Sequence, residues 1–219
     1  MLAETLPGIR PELARFLAER AHIRRASSEE TLWRQGEEVP LTLIMYGYGG
    51  FRRNTADGQQ VTVGIAVPGE IFGITSVSST IATVDMFAMT ECVVASWQGP
   101  ELRSLAASDP DLALELLDRM SLFLNILTAK LDGFLHQGSR RRVVRILSRY
   151  RPLFFSDPPV LSRAHLPGLV GTSREMTGRV IRQLEREGTI ARVGRTGLRL
   201  LDPQRLDAAS DLPSSRGLY

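Results

Sequence analysis

From Leu112 to Phe134 an apolar residue recurs every three or four positions, through Leu116, Met120, Phe123, Leu127 and Leu131. That spacing predicts one helix of roughly 25 residues, with Asp109 as its N-cap and Pro110 in its first turn. A helix so long, apolar along one face and broadened by Leu122, Leu124 and Ile126, needs a partner. Packing onto its own chain would cover part of that face. Pairing with a second copy buries more, so a homodimer is expected, with Leu116, Met120, Phe123, Leu127 and Leu131 as its seam. The helix then divides the chain into an N-terminal domain, 1–108, the dimerisation helix, 109–137, and a C-terminal domain, 138–219.

The two flanking domains read differently. The first opens with helical spacing at Leu13, Phe16 and Leu17, behind Pro11. From about Thr31 it changes to short apolar or alternating runs cut by turn residues, among them LTLIMYGYGG, VTVGIAVPGE and CVVASWQGP, with Asp57-Gly58 as a hairpin signal. Many short strands at this spacing predict an antiparallel barrel or jelly roll. In the third part, Arg140-Arg141-Arg142 opens a helix whose core face is Val143, Val144, Ile146 and Leu147. A proline-rich loop follows, then two short helical patterns parted by Gly171-Thr172-Ser173. Last comes TIARVGRTGLRLL, two strands joined at Gly194–Gly197. Helices followed by a β-wing make a winged helix-turn-helix, and the whole is α+β.

Charge is segregated. Residues 138–219 carry a net +9 and residues 1–137 a net −6, although the chain as a whole is only +3. A basic part joined to an acidic one points to a nucleic acid as partner. The basic side chains are arginines apart from Lys130, and a guanidinium offers the planar fork that suits phosphates and guanine edges. Cys92 is the single cysteine, which excludes internal disulfides and an iron–sulfur cluster. No metal-ligand cluster is spaced for binding, so no metal is expected. No run approaches the roughly 20 apolar residues of a membrane helix, and the N-terminus lacks a signal peptide's basic start, so a cytoplasmic protein is expected.

Enzymatic motifs fail on inspection. Gly47-x-Gly49-Gly50 follows a strand-like run, but the sequence after it is a hairpin rather than a phosphate-binding helix. Gly171-Thr172-Ser173 begins like a nucleophile elbow, yet Glu175 occupies the closing glycine position. No catalytic residues are assigned.

The second helix of the basic domain reads TSREMTGRVIRQLEREG. Val180, Ile181 and Leu184 form its buried face, leaving Arg174, Glu175, Gly178, Arg179 and Arg182 mostly on the other side. Arginine grips guanine O6 and N7 with two hydrogen bonds, and glutamate accepts from the cytosine amino group. Thr172-x-x-Glu175 also fits a capping box, which would tie Glu175 to its own backbone.

These residues resemble the bacterial regulators that include the cyclic-AMP receptor protein and the fumarate–nitrate reductase regulator. The likeness runs through RQGE at 34–37, the Gly47 hairpin region, PGEIFG at 68–73, the Asp109-Pro110-Asp111 start of the long helix, and VGTSREMTGRVIRQLEREG. Ser173-Arg174-Glu175-x-x-Gly178-Arg179 is its most specific part. The resemblance implies an eight-stranded effector-binding roll and a GTGA-like half-site read by Arg174, Glu175 and Arg179. It further implies phosphate contacts from Ser162, Arg163, Thr172, Ser173 and Arg195. Double-stranded DNA and a second copy are the implied partners, with RNA polymerase a third for an activator.

The effector region departs from the cyclic-AMP pattern. Phe72-Gly73 is kept, but Ile74 stands in place of a ribose-binding glutamate and Ala82-Thr83 in place of an Arg-Ser pair. No lysine or arginine lies between Arg53 and Arg103, so a buried cyclic phosphate would lack its charge-assisted partner. Leu127 replaces a polar base contact, although Thr128 is retained. The expectation is an unidentified effector other than cyclic AMP. Its candidate pocket comprises Gly73, Ile74, Thr75, Thr83, Phe123, Leu127 and Thr128, with further hydroxyls at Ser76, Ser78 and Ser79. A ligand-independent regulator with a degenerate roll is the alternative within this class, and a small-molecule-binding enzyme is the rival from another. Haem stays open, because Leu122, Phe123, Ile126 and Leu127 could wall an apolar pocket, but no histidine of the roll is expected at an axial position.

Overall fold

The computed structural model describes residues 1–54, 58–78 and 80–210. Asp57 of the expected hairpin turn and Ser79 of the hydroxyl group lie outside them. The chain forms two compact units, one of Met1–Gln60 with Gly64–Thr128, the other of Val61–Val63 with the residues from Ala129 onward. The division falls inside the long helix, between Thr128 and Ala129.

The first unit begins with α1 (Leu2–Thr5) and α2 (Pro11–Arg20). Eight strands follow: β1 (His22–Ala26), β2 (Thr31–Trp33), β3 (Leu41–Tyr46), β4 (Gly49–Asn54), β5 (Gln60–Ala66), β6 (Ile71–Phe72), β7 (Asp85–Ala88) and β8 (Cys92–Trp97). They make two four-stranded sheets, ordered β1-β8-β3-β6 and β2-β7-β4-β5. Alternation along the strands separates two cores. Between the sheets, Ile44, Cys92 and Val94 meet Trp33, Met86 and Ala88. On the other face of the first sheet, Leu41, Leu43, Ala95 and Trp97 pack beneath Leu13, Leu17, Leu102, Leu112 and Leu116. The covering helices are α2, α3 (Gly99–Ser108) and the start of α4 (Pro110–His136). The Trp97 indole satisfies its N–H by donating to the Leu17 carbonyl at 2.8 Å. Burial pushes the Cys92 thiol up in pKa, and its S–H donates to the Tyr48 carbonyl at 3.1 Å.

Two carboxylates seat α4. Asp109 caps it, its Oδ1 accepting the Asp111 N–H at 3.1 Å, and pairs with Arg10. Glu115, buried at 4% exposure, accepts the Gly8 N–H and the Arg119 Nε–H, each at 2.6 Å. The approach to Gly8 is so close that a Cβ there would lie 2.3 Å from the Glu115 carboxylate.

Several elements depart from expectation. His22–Ala26 forms an edge strand that its charged HIRRA sequence hides. The run IFGITSVSST holds a strand of only Ile71–Phe72 before a 3₁₀ turn at Ile74–Ser78. Gly99–Ser108 is helical, and the loop after Tyr150 contains a short helix.

The second unit runs α5 (Ser139–Arg149), α6 (Arg151–Phe154), α7 (Leu166–Val170), α8 (Arg174–Arg186), β9 (Ile190–Val193), β10 (Gly197–Leu200) and α9 (Pro203–Ser210). Its buried residues include Val143, Val144, Leu147, Phe154, Leu166, Val180, Ile181, Leu184 and Leu206. Among the described residues no helix is long and apolar enough to cross a membrane.

Candidate nucleic-acid interface

The turn between α7 and α8 is fixed at both ends. Gly171 closes α7 in the left-handed region, at φ +65°, and a Cβ there would stand 2.5 Å from the Phe134 ring. The left-handed conformation favours glycine there, and a Cβ would also have to push the exposed Phe134 ring aside. Ser173 caps α8, its Oγ accepting the Met176 N–H at 3.1 Å. The Thr172–Glu175 capping box does not form. The cap sits one residue later, and the Thr172 hydroxyl lies 3.5 Å from that of Ser139. A capping serine uses a lone pair and keeps its O–H proton to donate to a phosphate.

Capping from Ser173 leaves Glu175 on the open face of α8. Thr177, Val180, Ile181 and Leu184 are buried, while Arg174, Glu175, Arg179, Arg182 and Arg186 are exposed. Glu175 and Arg179 form an i,i+4 pair at 3.3 Å, with side chains 81% and 63% exposed. A Cβ on Gly178 would touch only the Arg182 guanidinium, at 3.6 Å, so nothing within the protein demands a glycine there. The first two turns of α8 thus present two cations and an anion around a patch of bare backbone.

The expected phosphate contacts divide. The Ser162 N–H and hydroxyl both meet His165 Nδ1, at 3.0 and 3.2 Å, which shapes the entry to α7. Arg195 is exposed in the turn of the wing. Arg163, expected on DNA, is half-buried and turned to the wing, where its guanidinium donates to the carbonyls of Gly194 and Arg195.

Two supporting groups were not foreseen. The Arg142 guanidinium donates to the Gln137 carbonyl at 2.6 Å and, through Nε, to the Val170 carbonyl at 3.2 Å, so it caps the ends of α4 and α7 together. Glu187, just past α8, accepts from Arg140 at 2.6 Å and from the Gln183 amide at 2.9 Å. Neither role has a sequence signature beyond a basic residue early in one helix and an acidic one late in another.

Two families of known proteins match the chain in tandem: the cyclic nucleotide-binding domain over residues 23–109 and the Crp-like helix-turn-helix domain over residues 141–209. The chain is 25% identical over 199 residues to the cAMP-activated global transcriptional regulator CRP of Salmonella typhimurium, covering 87% of this chain and 94% of that one. Among solved structures, FixK2 from Bradyrhizobium japonicum superposes with a TM-score of 0.70 at 19% identity, covering 89% of this chain and 99% of that one. The c-di-GMP responsive global regulator CLP of Xanthomonas campestris superposes at 0.65 with 26% identity, covering 86% and 97%. The chain belongs to the CRP/FNR superfamily. It is a CRP-family transcription regulator with a helix-turn-helix DNA-binding domain.

In this CRP/FNR chain the seam residues expected on α4 separate. Leu116 is only 5% exposed and lies in the core of the first unit with Leu112, so it is not part of any open face. Phe123, Leu127 and Leu131 are exposed, together with Leu117, Leu124 and Phe134, and Met120 is half-buried. The open stripe runs 117, 120, 124, 127, 131, 134, an alternation of three and four.

The effector candidates are also dispersed. Ile74 packs against the helix-covered core, and Ser76 is buried with an unpartnered hydroxyl. The Ala82 N–H is taken by the Glu37 carbonyl at 2.8 Å. Gly73 has φ +78° and abuts the Pro40 carbonyl, Thr75 is half-buried, and Thr83 is exposed. The Thr128 hydroxyl bonds the Leu124 carbonyl of its own helix at 2.9 Å. Phe123 and Leu127 are exposed. His22 does lie in the roll, on β1, but at an exposed edge.

Glu187 yields a pH test. Its burial would raise its pKa, but the Gln183 and Arg140 hydrogen bonds and the charge of Arg205 outweigh that and hold it below the ordinary 4.5. A depressed carboxylate stabilises the fold above its unfolded pKa and loses that contribution as pH falls through the folded one. Glu187→Gln should therefore melt below wild type at neutral pH, by calorimetry. The gap should narrow once pH drops below about 4.5.

Proposed function

We propose that the protein acts as a homodimer that reads a palindrome with GTGA-like half-sites through α8, under a signal other than cyclic AMP. The observation that carries the reading is the open face of α8, where Arg174, Glu175 and Arg179 are exposed and serve no core. Placed in a major groove, the arginines pair with guanine and Glu175 accepts from cytosine. Ser173, Ser162 and Arg195 add phosphate contacts that set register. Two copies related by a two-fold axis present two such helices, and a palindrome with half-sites about 34 Å apart matches them. Acting on DNA places the protein in the cytoplasm, as a regulator and not an enzyme. RNA polymerase is a partner if it activates.

The stripe on α4 supports dimerisation. Leu117, Leu124, Leu127 and Leu131 lie exposed along one side of an unbroken helix, and the three–four alternation is what knobs-into-holes packing uses. The cyclic-nucleotide reading fares worse. The segment 71–83 does not fit a cyclic phosphate: it has no cation, Ile74 is committed to the core, and the Ala82 amide is occupied. The same closure favours a second reading, in which the roll is a structural module and binds no effector.

Arg174→Ala or Arg179→Ala should cost about 1–3 kcal/mol on a GTGA palindrome and relax specificity at one position per half-site, by competition footprinting. Equal losses on random DNA would reduce both residues to phosphate contacts.

Leu127→Glu should give monomers in sedimentation and lose specific binding, because an apolar seam cannot hold unpaired charges. A variant that still dimerises would move the seam elsewhere.

Calorimetry should detect no cyclic-AMP binding up to the millimolar range, equivalent to about −4 kcal/mol. Micromolar binding abolished by Thr83→Val would overturn the reading of the cassette.

A further inference from the structure

The wing consists of two four-residue strands, Ile190–Val193 and Gly197–Leu200, and a lone hairpin of that size is marginal in water. Arg192 ties the first strand of the hairpin to Glu185 of α8 at 2.7 Å, and the turn at its far end is held separately. Arg163, in the loop before α7, holds it. Its backbone N–H donates to the Thr196 carbonyl at 3.0 Å. Its guanidinium donates to the Gly194 carbonyl at 3.4 Å and to the Arg195 carbonyl. Three successive carbonyls of the turn are thus held by one residue. Arg163 is half-buried in this arrangement, while Arg195 on the same turn is exposed.

We propose that Arg163 is a positioning residue of the wing and not a phosphate contact in its own right, so that its part in DNA binding is exercised through Arg195. The proposal rests on the reading of this domain as a DNA reader. It reassigns a cation that the family resemblance would place on a phosphate. The chemistry separates the two roles. Neutralising a phosphate needs a positive charge, which lysine supplies as well as arginine. Both carbonyls are reached by the one Nη2, which stands a bond further from the backbone than a lysine ammonium, so lysine keeps the charge but stops short of the pair. Arg163→Lys therefore keeps the charge and removes the anchor.

The test uses the full-length protein and a duplex carrying two GTGA half-sites in palindrome, with affinity followed against salt for Arg163→Lys, Arg195→Ala and the double variant. Arg163→Lys should weaken binding by nearly the same factor as Arg195→Ala. It should also lower the log–log salt slope, by about 0.9 for each phosphate that is no longer neutralised. In the Arg195→Ala background it should add less than about two-fold, since the two residues act as one unit. Wild-type affinity and slope for Arg163→Lys, or effects that multiply in the double variant, would overturn the proposal. Hydrogen exchange of the free protein provides a readout without DNA, and amides from Gly194 to Leu198 should exchange faster in Arg163→Lys. Unchanged exchange overturns the anchor. Faster exchange in a protein that ignores the duplex upholds the anchor and removes the palindrome reading instead.

Discussion

Every helix ends with carbonyls that have no partner in their own turn, and in the DNA-binding unit two such ends meet at one guanidinium. Arg142 takes the Gln137 carbonyl at the end of α4 and the Val170 carbonyl at the end of α7. Both termini carry the negative end of a helix dipole, so one cation satisfies hydrogen bonding and electrostatics together. The Phe134 ring fills the space beside it, 5.5 Å from the guanidinium and hard against Gly171. The direction of α8 follows from this junction, because Gly171 sets where the chain turns and Ser173 sets where the next helix starts. A larger residue at 171 would collide with Phe134 before it met any ligand.

The placement of α8 then determines what its open face can do. An exposed Glu–Arg pair four residues apart is worth only about 0.3–0.5 kcal/mol. The Glu175–Arg179 pair thus restrains both side chains in the free protein and costs little to break. In the proposed major-groove pose a guanine contact worth about 1–3 kcal/mol would outweigh it. The Glu187 hub serves the opposite end of the same helix, where Arg140 and Gln183 converge on one carboxylate.

Which parts were legible in the sequence follows from which forces are local. Hydrophobic period located α4, and glycine with a capping residue located the turn before α8. Buried and open faces of α8 follow directly from 3.6-residue spacing, and the residues expected to be open are so. Strand β1 was hidden because an edge strand with exposed arginines shows no alternation. The 3₁₀ turn at Ile74–Ser78 was hidden because apolar residues there serve a helix-covered core, not a sheet. Of the residues expected to form the seam, Leu116 is claimed by the roll's core with Leu112, while Phe123, Leu127 and Leu131 are exposed along with Leu117 and Leu124. Arg163 and Arg142 illustrate the remaining limit. A basic side chain can serve a phosphate or a carbonyl, and sequence does not distinguish these acceptors.

The same physics constrains how such a protein can be controlled. A ligand shifts a two-state equilibrium only by its differential affinity for the two states. With no lysine or arginine between Arg53 and Arg103, the roll has no cationic anchor for an anionic ligand in that segment. Apolar contact can supply the differential affinity instead. At roughly 25 cal/mol per Å², an extra 100 Å² buried in one arrangement gives about 2.5 kcal/mol, on the order of fifty-fold in population. The exposed stripe of α4 has six apolar side chains to contribute from residue 117 to 134. Under the proposed dimer reading, a ligand that changed how much of that stripe is covered would shift the balance between the two arrangements.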